Sequence, residues 1–222
     1  MENLQLIVTE DGSHSIYNAR LNENYHSRHG AVQESRHVFI EAGLLACSSV
    51  KKDIRILEIG FGTGLNCFLT FLETPRLGLT IHYTAFEPWP LSDEMVAALN
   101  YPGQLHETRQ LDVFRQMHSK QEGLLQLNET FMLDRRKEPI QTDTGTNTFD
   151  LIYFDAFAPD VQPELWTEDV FTKLAATLVS GGMLVTYCAK GEVKRCMKKA
   201  GLLIERLPGP PGKREMTRAT KP

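Results

Sequence analysis

Seven residues constrain the fold more than any other stretch of this chain. Glu58-Ile59-Gly60-Phe61-Gly62-Thr63-Gly64 directly follows a short apolar run, Ile54–Ile59, and directly precedes a helical pattern over residues 65–73. Glycines between a strand and a helix permit positive φ and let a ligand approach the backbone closely. The free amides at the start of the helix then face that ligand. A dinucleotide-binding turn needs G-x-G-x-x-G, and here the third position falls on Leu65, so that fingerprint fails. The chain is therefore predicted to be an α/β protein whose first core strand opens onto a binding turn of a different kind.

The rest of the chain is consistent with that start. After the helix at 65–73, which Pro75 is expected to stop, Thr80–Phe86 reads as the next strand. Ser92 is a helix N-cap, with Asp93 and Glu94 in the first turn. Residues 104–127 read as an amphipathic helix with a break at Gly123, Phe131–Leu133 as a short strand, and 134–148 as a loop. Asp150–Asp155 is a buried strand. Pro163 opens a helix running through Leu178, which Gly181-Gly182 closes. Met183–Cys188 is a strand, Glu192–Ala200 a helix, and Leu202–Leu207 with Arg214–Ala219 a terminal antiparallel pair. Alternating strands and helices imply parallel βαβ units and a doubly wound sheet. Ahead of them, residues 4–17 form a hairpin about Asp11-Gly12, 22–30 a loop and 31–46 a helix. The expected organisation is one domain over 51–222, with residues 1–50 capping its ligand-binding edge.

Composition adds bounds. With 222 residues and 41% apolar side chains, a single sizeable core is expected. No run approaches a membrane span, and the N-terminus lacks the order of a signal peptide. Cys47, Cys67, Cys188 and Cys196 have no C-x-x-C spacing, and the seven histidines show no ligand spacing. His26, His29 and His37 cluster near the N-terminus, where a loop or surface role is expected. A cytoplasmic protein with reduced thiols, no metal and no membrane contact follows. The net charge of −4 hides an asymmetry: ten Lys/Arg against three Asp/Glu from Lys190 onward give +7, and the preceding residues carry −11. A polyanion along the C-terminal edge is therefore expected.

Two carboxylates sit where chemistry is expected. Glu87, 23 residues after Gly64, ends the second strand and is suited to accepting ribose hydroxyls. Asp155, in Asp155-Ala156-Phe157-Ala158-Pro159, ends the next buried strand, at the carboxyl edge where ligands of open sheets bind. Phe157 is expected to stack on a planar base, and Pro159 to stiffen the loop.

The G-x-G-x-G turn with a following acid resembles the first motifs of class I S-adenosylmethionine-dependent methyltransferases, which are Rossmann-like. The resemblance becomes specific through DGSHSIYN (11–18), YHSRHGAVQESRHVFI (25–40), LEIGFGTGLN (57–66), FEPWPLS (86–92), FDLIYFDAFAPDVQPELW (149–166), VTYCAKGEVKR (185–195) and PGKREM (211–216). Together these resemble the bacterial tRNA 5-(aminomethyl)-2-thiouridine methyltransferases. That family forms the methyl-transfer half of a bifunctional wobble-uridine modification protein and also occurs as stand-alone chains.

The resemblance implies methylation of the exocyclic amine of 5-aminomethyl-(2-thio)uridine at the tRNA wobble position. S-adenosyl-L-methionine is the implied cofactor and tRNA the implied partner. By position it implies Glu58, Gly60, Phe61, Gly62, Thr63, Gly64, Asn66 and Glu87 at the cofactor, with Glu58 holding the methionine amine directly or through water. It implies Asp155 at the reacting amine. Tyr25, Ser27, Glu34, Phe157, Pro159, Lys213 and Arg214 fall on the substrate side. Asp134, Glu138 and Asp143 compete for the adenine contact. The length leaves no room for the oxidase half, so a separate enzyme is expected to supply the aminomethyl group. An aminopropyl transferase and a catalytically silent RNA- or partner-binding module are the other readings that the residues leave open.

Overall fold

The computed structural model describes residues 4–119, 123–140 and 146–222. Its centre is an eight-stranded sheet built from β4 (Asp53–Ile59), β5 (Thr80–Phe86), β6 (Gly123–Asn128), β7 (Phe131–Arg136), β8 (Phe149–Phe154), β9 (Leu178–Thr186), β10 (Leu203–Pro208) and β11 (Glu215–Thr220), in the spatial order β10-β11-β9-β8-β4-β5-β7-β6. The five strands from β9 through β8, β4 and β5 to β7 are parallel, and β11, β10 and β6 extend the edges antiparallel. The expected doubly wound α/β sheet is what forms. Every residue of β8 is buried, as a parallel strand covered on both faces requires.

Strand parity divides the core. Ile54 and Ile56 of β4 join a cluster with Phe39, Leu44, Phe68 and Phe114, while Leu57 and Ile59 join another with Phe171, Leu174 and Met197. The first face is covered by the helix over residues 31–48 and by Leu65–Leu77 and Leu111–Ser119. The second is covered by Glu168–Thr177 and Gly191–Lys199. Glu58 has the parity of Ile54 and Ile56, so it enters the first core cluster's face.

The N-terminal segment forms its own three-stranded sheet, β1 (Leu4–Val8), β2 (His14–Asn18) and the two-residue β3 (Glu23–Asn24). Its Asp11-Gly12 turn has a second duty. The helix beginning at Ala31 has no capping side chain of its own. Ser13 Oγ accepts from the amides of Ala31 (3.1 Å) and Val32 (3.2 Å), and Asp11 Oδ2 from Gln33 (3.0 Å). The hairpin turn thus caps the helix from a distance, satisfying donors that a helix start always leaves over. The middle of this helix, Arg36–Leu45, is π-wound.

Four expectations about elements need correction. The helix after the glycine turn runs Leu65–Leu77 with Pro75 inside it. A proline in the last turn forfeits one bond only, and Gly78, left-handed at φ 61°, ends the helix instead. Residues 104–127 are not one helix: Tyr101–Gln104, a 3-10 turn at Thr108–Gln110 and the helix Leu111–Ser119 precede β6. Leu125 and Leu127 alternate with exposed neighbours, and pairing with β7 favours the period of two over that of 3.6. Pro163 opens only the 3-10 turn Pro163–Leu165, and Thr167 caps a separate helix, Glu168–Thr177. Gly181 and Gly182 lie inside β9, where Gly181 N donates to Lys221 O (2.8 Å) and Lys221 N to Gly182 O (2.9 Å). The terminal strand partners recruit those glycines into the sheet. Among the described residues no helix is long and apolar enough to cross a membrane.

Candidate active site

The sheet's order reverses at β4: successive strands go one way through β5 and the other through β8. Ligands of open α/β sheets bind at such a switch point, beyond the strands' carboxyl ends. Just beyond these ends the backbones are stitched together, by Gly60 N to Phe86 O (3.0 Å), Asp155 N to Ile59 O (3.0 Å) and Glu87 N to Arg136 O (3.0 Å). This brings the glycine turn, Glu87 and Asp155 to one place. A cavity of about 960 Å³ opens there, at the large end of the range for small-molecule sites.

The glycine turn is built as its sequence requires. Gly60, Gly62 and Gly64 have φ of 88°, 49° and 72°. A Cβ on Gly60 would lie 2.6 Å from the Asp155 carbonyl oxygen, and one on Gly62 would lie 3.1 Å from the Tyr25 ring. Gly60, Phe61, Gly62 and Thr63 line the cavity with Glu87. The Glu87 carboxylate accepts from Gly62 N (2.9 Å) and Trp89 N (2.8 Å). Gly64 starts the following helix and packs on His118, away from the cavity lining.

Glu58 does not reach the cavity. It is fully buried, and burial, reinforced by Asp155 and Glu87, pushes its carboxyl well above the ordinary carboxylate range. Its connection to the cavity runs through a neighbouring side chain. Asn66 Nδ2 donates to Glu58 Oε1 (3.0 Å) and to Asp155 Oδ2 (2.8 Å). Asn66 lines the cavity, so one amide spans the core acid and the cavity acid. Burial raises the Asp155 carboxyl to about 7, and the negative charge of Glu34 adds to that; the Asn66 bond and the charge of Lys213 oppose it.

The loop carrying Asp155 is pinned by side chains that sequence reading did not single out. Tyr187 Oη donates to Ala156 O (2.8 Å), Trp166 Nε1 to Phe157 O (2.8 Å), and Phe157 N to Gln162 Oε1 (3.3 Å). The signal was present as polar-tipped aromatics within otherwise apolar segments, but only the fold shows which carbonyls they meet. Phe157 lines the cavity and meets Tyr25 edge-on, with ring centroids 5.1 Å apart. Pro159 is buried in the loop and is outside the lining.

Glu34 closes the opposite wall. Its two oxygens accept from Ser27 N (2.7 Å) and Lys213 Nζ (2.7 Å), which joins the N-terminal loop to the C-terminal one. Lys213 also lies 3.9 Å over the Tyr187 ring. Arg214, by contrast, is exposed and outside the lining. His26 is a bridge rather than a surface residue: Nδ1 meets Ser15 Oγ (3.2 Å) and Nε2 meets Thr63 Oγ1 (3.3 Å). Burial lowers its pKa to about 4, so it holds the loop to the glycine turn as a neutral ring.

Of the acids competing for an adenine, Asp134 pairs with Arg136 (3.0 Å) in β7. Neither it nor Glu138 lines the cavity, whose wall there is Phe86, Pro88, Pro139 and Ile140. Asp143 lies outside the described residues. No group of three metal-binding side chains occurs among the described residues.

Residues 104–222 match a family described as S-adenosyl-L-methionine-dependent methyltransferase. The chain belongs to that family. This methyltransferase is 29% identical over 96% of its length to the "tRNA 5-methylaminomethyl-2-thiouridine biosynthesis bifunctional protein MnmC" of Aromatoleum aromaticum, covering 35% of it. The protein of the same description from Cupriavidus metallidurans is 30% identical over 98% of this chain and 34% of its own. The methyltransferase thus spans about a third of the length of the curated relatives it matches. Among solved structures, MNMC2 from Aquifex aeolicus superposes with a TM-score of 0.79 at 23% identity, over 100% of this chain and 72% of that one. That likeness shows the class I methyltransferase fold. The family's cofactor is S-adenosyl-L-methionine. The observed cradle suits it, because Gly60, Phe61, Gly62 and Thr63 line the cavity and the glycines' lack of Cβ atoms lets Asp155 and Tyr25 close in on the turn.

Proposed function

We propose that this methyltransferase converts 5-aminomethyl-(2-thio)uridine to its methylaminomethyl form at the wobble position of tRNA. The observation that carries the reading is Asp155, fixed beside the glycine turn at the switch point. The family favours methyl transfer over the aminopropyl transfer and the silent module that the sequence leaves open.

Bound S-adenosylmethionine supplies a methyl already activated by its sulfonium. Gly60, Phe61, Gly62 and Thr63 present backbone to it, and Glu87 is the acid for its ribose. Glu58 and Gly64 support this wall from behind. An aminomethyl group is an ammonium near neutrality and has no lone pair until it loses a proton. Asp155, with a pKa of about 7, is matched to accept that proton at working pH. When ionised it also attracts the incoming cation. Asn66 fixes the carboxylate's direction by its 2.8 Å bond, so the acceptor meets a base of defined orientation. Phe157 and Tyr25 form an aromatic wall for the uracil ring. Residues 1–50 cap this edge through Tyr25, Ser27 and Glu34, and Lys213 fastens the cap to the remaining domain. Nucleotide chemistry of this kind belongs with soluble tRNA, and a second enzyme would provide the aminomethyl group.

The test is to incubate the protein and cofactor with tRNA bearing 5-aminomethyl-2-thiouridine, then analyse nucleosides by mass spectrometry. One added methyl on that nucleoside is expected. Tight cofactor binding with no methyl gained would refute the assignment.

A further inference from the structure

Half of the ten basic side chains in the +7 C-terminal segment are tied to carboxylates. Lys190 pairs with Asp160 (2.5 Å), Lys194 with Glu215 (3.1 Å), Lys199 with Glu168 (2.9 Å), Lys213 with Glu34 (2.7 Å) and Arg218 with Glu205 (2.7 Å). Lys221 Nζ is held by Asn147 Oδ1 (2.9 Å) and Leu178 O (2.7 Å). Of these partners only Asp160, Glu168 and Glu34 lie outside the segment, so the pairs lower its charge from +7 to +4, and among the described residues Arg195, Lys198, Arg206 and Arg214 carry no ion pair.

The cavity mouth is different. Arg20 and Arg28 are exposed and line it. Among the described residues, neither guanidinium makes an ion pair or a hydrogen bond. Their backbones, however, are firmly placed. Asn18 Oδ1 accepts from Arg20 N (3.0 Å) and Leu21 N (3.2 Å), and Tyr17 Oη donates to Asn22 Oδ1 (2.7 Å). Arg28 O accepts from Glu10 N (2.9 Å). Ordered backbone thus presents free cationic forks at the entrance to a reactive cavity. On the same lining, Trp89 is 71% exposed. Of the acids on this lining, Glu23 accepts from Asn24 N (3.1 Å), Glu87 faces the glycine turn, Glu34 and Asp155 lie within the site, and Glu164 is exposed.

We propose that Arg20, Arg28 and Trp89 form the RNA-contacting rim of the site. In this arrangement, which rests on the tRNA reading above, the two guanidinium groups take phosphates on either side of the target nucleotide and Trp89 stacks an adjoining base. The chemistry fits single-stranded RNA. A splayed nucleotide enters a cavity, neighbouring phosphates need planar charged donors, and neighbouring bases need an exposed aromatic face. The N-terminal hairpin then serves as the substrate-gripping element, and the ion-paired lysines of the C-terminal segment brace the fold.

The test compares Arg20→Gln/Arg28→Gln, Trp89→Ala and, as control, Arg195→Gln/Lys198→Gln, using tRNA bearing the aminomethyl nucleoside. The rim double variant should raise KM for tRNA about tenfold, and its log(kcat/KM) should fall less steeply with log salt by about 1.4, at roughly 0.7 per single-stranded phosphate lost. Trp89→Ala should raise KM for tRNA at least about fivefold, the lower range of one lost stacking contact. Calorimetry should show cofactor affinity within about twofold of wild type for each, which also verifies folding. The proposal is overturned if the rim double variant keeps the wild-type KM and salt slope, or if the control matches its effect. It is overturned for Trp89 if that variant loses cofactor affinity instead. Failure of the wild-type protein to methylate such tRNA at all marks failure of the tRNA reading, and this proposal would fall with it.

Discussion

Replacing Asn66 with alanine should move the pH dependence of turnover upward. Asn66 is the donor that lowers the Asp155 pKa, through a 2.8 Å bond to Oδ2. A hydrogen bond to a charged group contributes about 1.5–3 kcal/mol, which corresponds to about 1–2 pH units at 1.36 kcal/mol per unit. In the wild type, Asp155 titrates at about 7, so close to half of it is ionised at neutral pH. In Asn66→Ala the midpoint should lie near pH 8–9, leaving about one-tenth to one-hundredth ionised at pH 7. Single-turnover methylation should therefore fall by about 5- to 50-fold at pH 7 and recover substantially by pH 9. The substrate amine has its own titration, but it is common to both proteins and cancels in their comparison. Glu34→Gln should act with the opposite sign. It removes a negative charge that raises the Asp155 pKa and frees Lys213, which lowers it, so that midpoint should fall below 7. The assay is rapid-quench turnover at saturating cofactor across pH 5.5–9.5 (about the range in which the protein is expected to stay folded). A uniform rate loss in Asn66→Ala with no shift of the profile would refute the role given to Asn66. Shifts of the same sign in both variants would refute the electrostatic account of Asp155.

Three further outcomes follow from the geometry. Asp155→Asn should melt at a higher temperature than wild type at pH 8, with the gap narrowing to less than half by pH 5 and closing near pH 3.8. A carboxyl raised from 3.8 to about 7 binds protons more tightly folded than unfolded, so its contribution to stability declines as pH rises between those values; an unchanged gap across that range would sink this account. Gly60→Ala should lose both stability and turnover, since its φ is 88° and the added Cβ would lie 2.6 Å from Asp155 O. Chemical denaturation should register a cost of about 1–3 kcal/mol, and a wild-type denaturation midpoint would count against the turn geometry. Trp166→Phe removes the 2.8 Å bond to Phe157 O, leaving a carbonyl without that donor at a cost of about 1–3 kcal/mol. Its kcat should drop while calorimetric cofactor affinity holds; equal losses in both would show that the loop serves the cofactor instead.

Much of the site was legible because it sits at strand ends. Short apolar runs ending in Gly60, Glu87 and Asp155 announce three strands and their carboxyl edges. Any right-handed parallel arrangement brings such edges together. The hairpin β6–β7 was less legible, because Leu124, Leu125 and Leu127 satisfy a helical stripe as readily as a strand. Pairing with β7 decides between them. Glu58 shows a different limit. Its parity with Ile54 and Ile56 already pointed into the core, but a motif position argued for the ligand.

The sequence by itself determined the strand–turn–helix order, the left-handed glycines and the identity of the acids at the sheet's edge. These are local properties, set by φ preferences and by hydrophobic period. Only the tertiary structure decided which charges are free. It paired Lys190, Lys194, Lys199, Lys213 and Arg218 with carboxylates 13 to 179 positions away, and left Arg20 and Arg28 open at the cavity mouth. It also linked Glu58 to Asp155 through one amide, 8 and 89 positions from its partners. Electrostatic roles depend on distance and burial, which chain order does not carry.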